Sequence, residues 1–318
     1  MAAHQEILEE VITLIESGSF QDAAKRAEAL QVLGVPDGWH LKSVALLHAG
    51  DEQESVAVLK DGIATFPDNI GLRLELGNTY MQLEQFEVAD QVFEEANAYA
   101  GDQRGELDMM QARSEFIQGK VDEALNRLQG ITDPKYVIEA IDLQLEFLEA
   151  VGRLDLILEI AEADMEHFPI PENDEEFQLM AGILARIANA HWEEKDDPRG
   201  ARQLLRLAFH YYRNHQDALW LWREMEPEFS QQPVAFSIRM NGRFQEREDL
   251  GDVSGKAYNT YYQVIASNQE QAVSLISAFE IDAVDKEAFE ILDLEQEPAD
   301  SDESNGLYWV GDMVVLED

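Results

Sequence analysis

Residues 72–96 read LRLELGNTYMQLEQFEVADQVFEEA, a stretch in which small and large residues recur at helical spacing. Gly77, Ala89 and Ala96 are small, whereas Tyr80 and Phe93 are large. Residues three and four positions apart lie on one face of a helix. The pattern predicts two antiparallel helices joined by a short turn.

These residues resemble a tetratricopeptide (TPR) repeat, a helical hairpin that recurs about every 34 residues. In that family the small residues, here Gly77, Ala89 and Ala96, let the two helices approach closely, while Tyr80 and Phe93 fill the space beside them. One repeat cannot bury its apolar face alone. The resemblance therefore implies further units stacked on both sides.

Five further units are predicted at about this period, those at the two ends of the array being more degenerate. Their residues are Leu14, Gly18, Phe20, Ala23 and Ala27 in the first unit; Trp39, Ser55, Leu59 and Pro67 in the second; Ala112, Gly119, Ala124 and Leu128 in the fourth; Leu145, Leu148, Gly152, Ile157 and Ala161 in the fifth; and Ala188, Trp192, Ala201, Leu205 and Ala208 in the sixth. The sixth unit comes late, and residues 169–176 predict a loop that accounts for the delay. An extra helix over 217–225, with Leu219, Trp220 and Trp222, is expected to cover the open end of the array.

After Pro227 the periodicity changes from helical to two-residue alternation, which predicts a strand from Val234 to Met240. Further strands are predicted at 258–266 and 288–294, with a helix between them opened by Ser267 as a capping box. Residues 307–316 read as a hairpin turning at Gly311. The fold class is therefore mainly α, a TPR-like solenoid over 1–228 followed by a small α+β domain (β-β-α-β-β-β) over 229–318. Residues 295–305 are acidic and contain Pro and Ser, which predicts a mobile loop that is either merely solvated or a docking loop for a basic partner.

The chain is strongly acidic, with 23 Lys and Arg against 65 Asp and Glu and a formal net charge of −42. Such a charge repels nucleic acid phosphates and anionic membranes and favours a basic protein partner. Adaptation to high salt or plain solubility explains the same composition, and 8 Lys against 15 Arg also fits it. There are no cysteines, which excludes disulfides and thiolate metal sites. No leader or apolar span is evident, so a cytoplasmic location is expected.

Two surfaces are candidate binding sites, because the first helix of each TPR unit lines the concave groove in that family. Glu139, Asp142, Glu146 and Glu149 are spaced by three, four and three residues and fall on one helical stripe. The stripe is either a partner-facing acidic strip or a solvated face. The third and fourth units project Leu74, Asn78, Met81, Met109, Arg113 and Phe116 to the groove. Those side chains either form a peptide groove or are buried between units.

The sequence predicts a non-catalytic scaffold or adaptor for a basic protein or peptide, with no cofactor and no metal site. A more specific alternative is an immunity or inhibitor protein that neutralises a basic toxin. An enzyme with its site in the C-terminal domain, around Arg239, Arg243 and Tyr258, is a further alternative, although no catalytic spacing supports it.

Overall fold

The computed structural model describes residues 2–316, which are mainly helical with one small antiparallel sheet in the C-terminal region. The elements are α1 (Ala2–Glu16), α2 (Phe20–Val32), α3 (Asp37–His48), α4 (Glu52–Thr65), α5 (Ile70–Gln82), α6 (Phe86–Ala96), α7 (Arg104–Ile117), α8 (Val121–Gln129), α9 (Pro134–Ala150), α10 (Leu154–Asp164), α11 (Asp174–Glu193), α12 (Pro198–Tyr211), α13 (Gln216–Glu224), β1 (Val234–Arg243), β2 (Ala257–Ala266), α14 (Gln269–Phe279), β3 (Glu290–Pro298), β4 (Gly306–Val310) and β5 (Val314–Val315). They form two compact units, Met1–Ala140 and Ile141–Asp318, and the boundary falls within α9.

The first unit is a series of helical hairpins, as predicted. Each of α1 to α7 packs against the helix that follows it, and α5 also contacts α3 and α7. Residues 72–96 form most of α5 and all of α6. The turn between these helices is tight and includes Glu84 at a positive φ of 57°.

Small residues sit where the two helices of this hairpin meet. A Cβ atom added to Gly77 would lie 2.2 Å from Cε1 of Phe93. Ala89, Phe93 and Ala96 are fully buried. The close approach predicted for these residues is confirmed, and it explains why a larger side chain cannot replace the glycine.

The second unit begins with the rest of α9 and contains a 20-residue helix, α11. That helix starts at Asp174, so the loop predicted over 169–176 ends earlier than expected. Asn173 caps the helix by accepting a hydrogen bond from the Glu176 backbone nitrogen at 3.0 Å, and Glu176 accepts one from the Glu172 nitrogen at 2.7 Å. Because of this reciprocal capping, Asp174, Glu175 and Glu176 form the first turn of α11.

The sheet has the order β3-β1-β2, with β4 and β5 both on the far side of β2. The hairpin predicted over 307–316 is therefore wrong. Val310 pairs with Tyr262, Val315 pairs with Tyr258, and the Gly311 nitrogen donates to the Tyr261 carbonyl at 2.7 Å. The chain runs along one edge of β2 instead of turning, because β2 supplies backbone partners along its whole length.

Two other boundaries differ from the predictions for this region. β3 extends to Pro298, so the first four residues of the predicted mobile segment 295–305 belong to a strand. The N-cap of α14 is Asn268 and not Ser267, because the Asn268 side chain accepts from the Gln271 nitrogen at 3.0 Å. Ser267 contributes by donating its hydroxyl to the Gln271 side chain at 2.6 Å.

One face of the sheet shares a core with the helices of the second unit. Phe236, Ile238 and Met240 belong to the same buried cluster as side chains of α11, α12, α13 and α14. In α13, Leu219 is buried and Trp222 packs against aromatic rings, whereas Trp220 remains 51% exposed. The helix predicted to cover the end of the array is therefore α13, and it contributes Leu219 and Trp222, but not Trp220, to the core. The domain boundary predicted at 228/229 falls inside this unit and stays a prediction.

Candidate protein-binding groove

A groove in the first unit lies between the N-terminal parts of α3, α5 and α7, each the first helix of its hairpin. Its volume is about 620 Å³. The local sequence fixes the start of α5 because Asn69 accepts a hydrogen bond from the Leu72 nitrogen at 2.9 Å, which caps the helix. Arg73, which is buried, stacks on the Tyr99 ring at 3.8 Å and donates to the Asn69 carbonyl at 3.1 Å. These contacts hold two walls of the groove in place.

The groove is lined by carboxylates. Its acidic residues are Asp37, Asp68, Glu75, Asp102 and Glu106. Among the described residues that line it there is no Lys or Arg, and the other polar side chains are those of His40, Asn69, Asn78 and Gln103. The described lining is therefore anionic, although Lys135, which lies outside it, is close enough to Glu106 to interact with its charge.

The side chain of Glu75 is largely buried, with 14% of its surface exposed. Burial raises the pKa of Glu75 above its ordinary value, and the neighbouring His40 opposes that shift. The His40 Nδ1 atom lies 3.7 Å from Oε2 of Glu75, a separation too long for a strong hydrogen bond. A second cation beside Glu75 would stabilise its ionised form.

The predicted groove residues divide into two groups. Leu74 and Asn78 line the groove. Met81 and Met109 are buried, 8% and 3% exposed, so they offer no binding surface. The reason is that helices pack around most of the circumference of α5 and α7.

Arg113 and Phe116 are half-buried and do not line the groove either. Both lie on the C-terminal half of α7, whereas the groove is formed by the N-terminal part of that helix. A role for these two residues in partner binding stays a prediction.

The acidic stripe of α9 differs from the predicted strip of repelling charges. Glu139 and Glu146 are exposed. Asp142 accepts a hydrogen bond from Arg186 Nη1 at 2.7 Å, and Glu149 Oε2 lies 3.3 Å from Arg186 Nε. The boundary between the two units also separates Glu139 from the other three residues. One guanidinium, that of Arg186 on α11, thus lies against two of the four carboxylates and offsets part of their charge.

Sequence reasoning missed all five groove carboxylates, although a signal for two of them existed. Asp68 and Asp102 are separated by about one repeat length, so they occupy equivalent positions in neighbouring units. A smaller cavity in the second unit, of about 280 Å³, was also missed; Arg186, Asp217 and the exposed Trp220 line it.

The residues considered for metal binding or catalysis are not brought together into one site. Among the side chains that the structure describes, no group of three or more His, Asp or Glu residues could hold a metal ion, and none of the described helices has the length and apolar content needed to cross a bilayer. His191 lies 3.2 Å from Asp197, whose side chain caps α12. Arg239 and Arg243 are exposed while Tyr258 is fully buried, and their register places them on opposite faces of the sheet. The three residues named for an enzyme therefore do not form one site.

Comparison with known proteins supports the repeat assignment. Residues 46–114 match the family model described as tetratricopeptide repeat, which confirms the resemblance noted for residues 72–96. No curated protein matches the chain. This part of the chain consists of tetratricopeptide repeats, a fold typical of protein-binding scaffolds.

Several solved structures are similar to this chain at low identity. YrrB, described as a TPR protein with an unusual peptide-binding site, is 19% identical over 58% of this chain and 91% of its own, with a TM-score of 0.35. PilF of Pseudomonas aeruginosa is 15% identical over 60% of this chain and 82% of its own, with a TM-score of 0.42. PilW, described as a type IV pilus biogenesis factor, is 12% identical over 70% of this chain and 99% of its own, with a TM-score of 0.44.

Proposed function

We propose that this protein is a non-catalytic cytoplasmic scaffold that binds a basic segment of another protein in the groove of its first unit. The observation that carries the proposal is the set of five groove carboxylates with no Lys or Arg among the described lining residues. The tetratricopeptide repeats of residues 46–114 support protein binding in general. The charge of the groove supports a basic ligand in particular.

A Lys or Arg side chain suits both the shape and the charge of this groove. Its charged end would lie beside Glu75, while its aliphatic stem would contact Tyr99 and Met110, which also line the groove. The added cation would lower the pKa of Glu75, which burial raises in the free protein. Ligand binding therefore favours the ionised form of Glu75.

The net charge of −42 adds long-range attraction to these local contacts. Electrostatic steering raises the association rate of an oppositely charged partner and weakens as salt screens the field. Nucleic acids and anionic membranes are repelled by the same field. The expected partner is therefore a basic protein or peptide, bound with an affinity that falls steeply with ionic strength.

Fluorescence anisotropy with labelled nonapeptides tests the proposal. Peptides rich in Lys and Arg should bind at low salt, whereas peptides of Ser or of Glu should not. The variant Asp68→Asn/Asp102→Asn/Glu106→Gln should lose most of the affinity. A control with the same charge change on second helices, Asp22→Asn/Glu87→Gln/Asp122→Asn, alters exposed residues outside the groove and should retain it. Equal loss in both variants would show that net charge alone attracts the peptide and would overturn the proposed site.

A further inference from the structure

Among the described strands, β3 has an outer edge of nine residues with no partner strand. β3 contains nine residues and pairs only with β1, at the end of the order β3-β1-β2. Among the described residues, no backbone hydrogen bond from outside the sheet reaches residues 290–298. Such an edge presents alternate N–H and C=O groups that another strand can pair with.

A bulge in β3 brings its acidic residues to one face. Asp293 pairs with Arg239 and Ile291 pairs with Met240, so Leu292 is an extra residue between them. Because of this insertion Glu290 lies on the same face as Asp293, although the two are three residues apart and not two. Glu295 and Glu297 continue the row on that face by simple alternation, opposite Ser237 and Ala235.

The other face of β3 is committed to the core. Ile291 and Leu294 pack against the buried cluster of the second unit, which fixes the register of the strand. The four carboxylates at 290, 293, 295 and 297 are all on exposed residues. The edge therefore combines a free backbone with a row of negative charges held in a defined register.

We propose that the edge of β3 binds an extended basic segment of a partner as an added strand, with Lys or Arg at alternate positions beside these carboxylates. Strand addition takes its affinity from main-chain hydrogen bonds and its specificity from alternate side chains. Cationic side chains on the added strand would lie within reach of Asp293, Glu295 and Glu297, since directly opposite residues of paired strands are neighbours. Pairing is favourable only for a strand of complementary charge.

The same charges argue against a second copy of this chain as the occupant. Residues 230–318 contain 19 acidic and 5 basic residues, and edge-to-edge pairing of two β3 strands would place carboxylates beside carboxylates. Like charges directly opposite one another destabilise a sheet. The acidic row thus disfavours self-association and favours pairing with a basic strand. Repulsion of the wrong partner combined with attraction of the right one is a common source of specificity.

Amide hydrogen exchange on the full chain tests this proposal with peptides of defined pattern. The peptide TKVKTKVKT alternates its lysines, and TVTKKKKVT has the same composition with the lysines adjacent. The alternating peptide should protect amides within 290–298 from exchange, and the second peptide should give weaker protection. An alternating peptide with N-methylated backbone amides keeps the charges but cannot form the ladder, and it should give none.

Matched variants separate local from global charge. Asp293→Asn/Glu295→Gln/Glu297→Gln should lose the protection, whereas Glu246→Gln/Glu248→Gln/Asp252→Asn, exposed residues elsewhere in the same region, should retain it. Equal protection by the N-methylated peptide, peptide-induced protection at the groove of the first unit without any at 290–298, or dimer formation through β3 would each overturn the proposal. The groove proposal is tested with substitutions at different residues, so either proposal can fail while the other holds.

Discussion

Arg213 donates a hydrogen bond from Nη2 to Oε1 of Glu280 over 2.6 Å, inside the second unit where the Glu280 side chain is fully buried. The Tyr262 hydroxyl donates to the same oxygen at 2.6 Å. Burial lowers the pKa of Arg213, but the charge and hydrogen bond of Glu280 outweigh that effect and the pKa is raised. The pair joins the segment after α12 to the C-terminal end of α14 and to β2, so three elements depend on one buried carboxylate.

Removing that carboxylate charge is expected to destabilise the second unit. In Glu280→Gln the buried guanidinium of Arg213 loses its counter-charge, and such a loss costs about 3–5 kcal/mol. Urea denaturation followed by tryptophan fluorescence measures the change. Asp249→Asn breaks the exposed pair with Arg247 and should leave the midpoint close to that of the parent. A Glu280→Gln midpoint equal to the control would contradict the role assigned to the pair.

Gly77→Ala should destabilise the first unit although alanine favours helices by about 1 kcal/mol over glycine. The added Cβ would lie 2.2 Å from the Phe93 ring, so the hairpin must open or the ring must move. Gly71→Ala is the matched control on α5, because its Cβ would meet only the Asn69 side chain at 3.4 Å. The midpoint temperature of thermal unfolding should fall for Gly77→Ala and should stay unchanged or rise for Gly71→Ala. Phe93→Leu should partly rescue Gly77→Ala.

Glu75 should make stability depend on pH. Its pKa is raised in the folded protein, so its contribution to stability is complete below the ordinary value of 4.5 and is lost as pH rises through the folded value. Glu75→Gln removes the penalty and should be more stable than the parent at pH 7, while the two converge near pH 4. Denaturation between pH 4 and 8 gives the difference, with the exposed Glu87→Gln as control. A difference independent of pH would contradict the burial argument.

Asp142→Asn should destabilise the second unit, because Asp142 accepts a 2.7 Å hydrogen bond from the largely buried Arg186. Hydrogen bonds to charged groups contribute about 1.5–3 kcal/mol. Glu146→Gln changes an exposed residue of the same helix and should stay within about 0.5 kcal/mol of the parent. Chemical denaturation compares the two. Identical denaturation midpoints for the two variants would show that Asp142 contributes no more to stability than a solvated charge.

The fragment 229–318 tests the predicted domain boundary. Phe236, Ile238 and Met240 share a core with helices α11–α13, so we expect this fragment to lose cooperative unfolding while the fragment 141–318 keeps it. Differential scanning calorimetry of the two fragments measures this. A cooperative transition in 229–318 would instead support the boundary at 228/229.

The sequence by itself determined the elements whose signal is local. Gly77, Ala89 and Phe93 specify a hairpin because helical periodicity decides which side chains face the partner helix, and the alternation from Val234 to Met240 specifies a strand with one buried face. The acidic character of the protein was equally evident from composition. These features need no knowledge of distant residues, so the repeats and the sheet could be predicted.

The tertiary structure alone decided which groups meet. His40 and Glu75 come from different repeats, and Arg186 contacts Asp142, which lies 44 residues earlier in the sequence. β4 and β5 both pair with β2 and do not pair with each other. Periodicity identifies a buried or exposed face but not the partner across it, because hydrogen bonding and charge pairing act between side chains whose proximity is set by packing. For that reason the stripe on α9 looked unpaired in the sequence, and the groove carboxylates became visible only once three hairpins had been placed side by side.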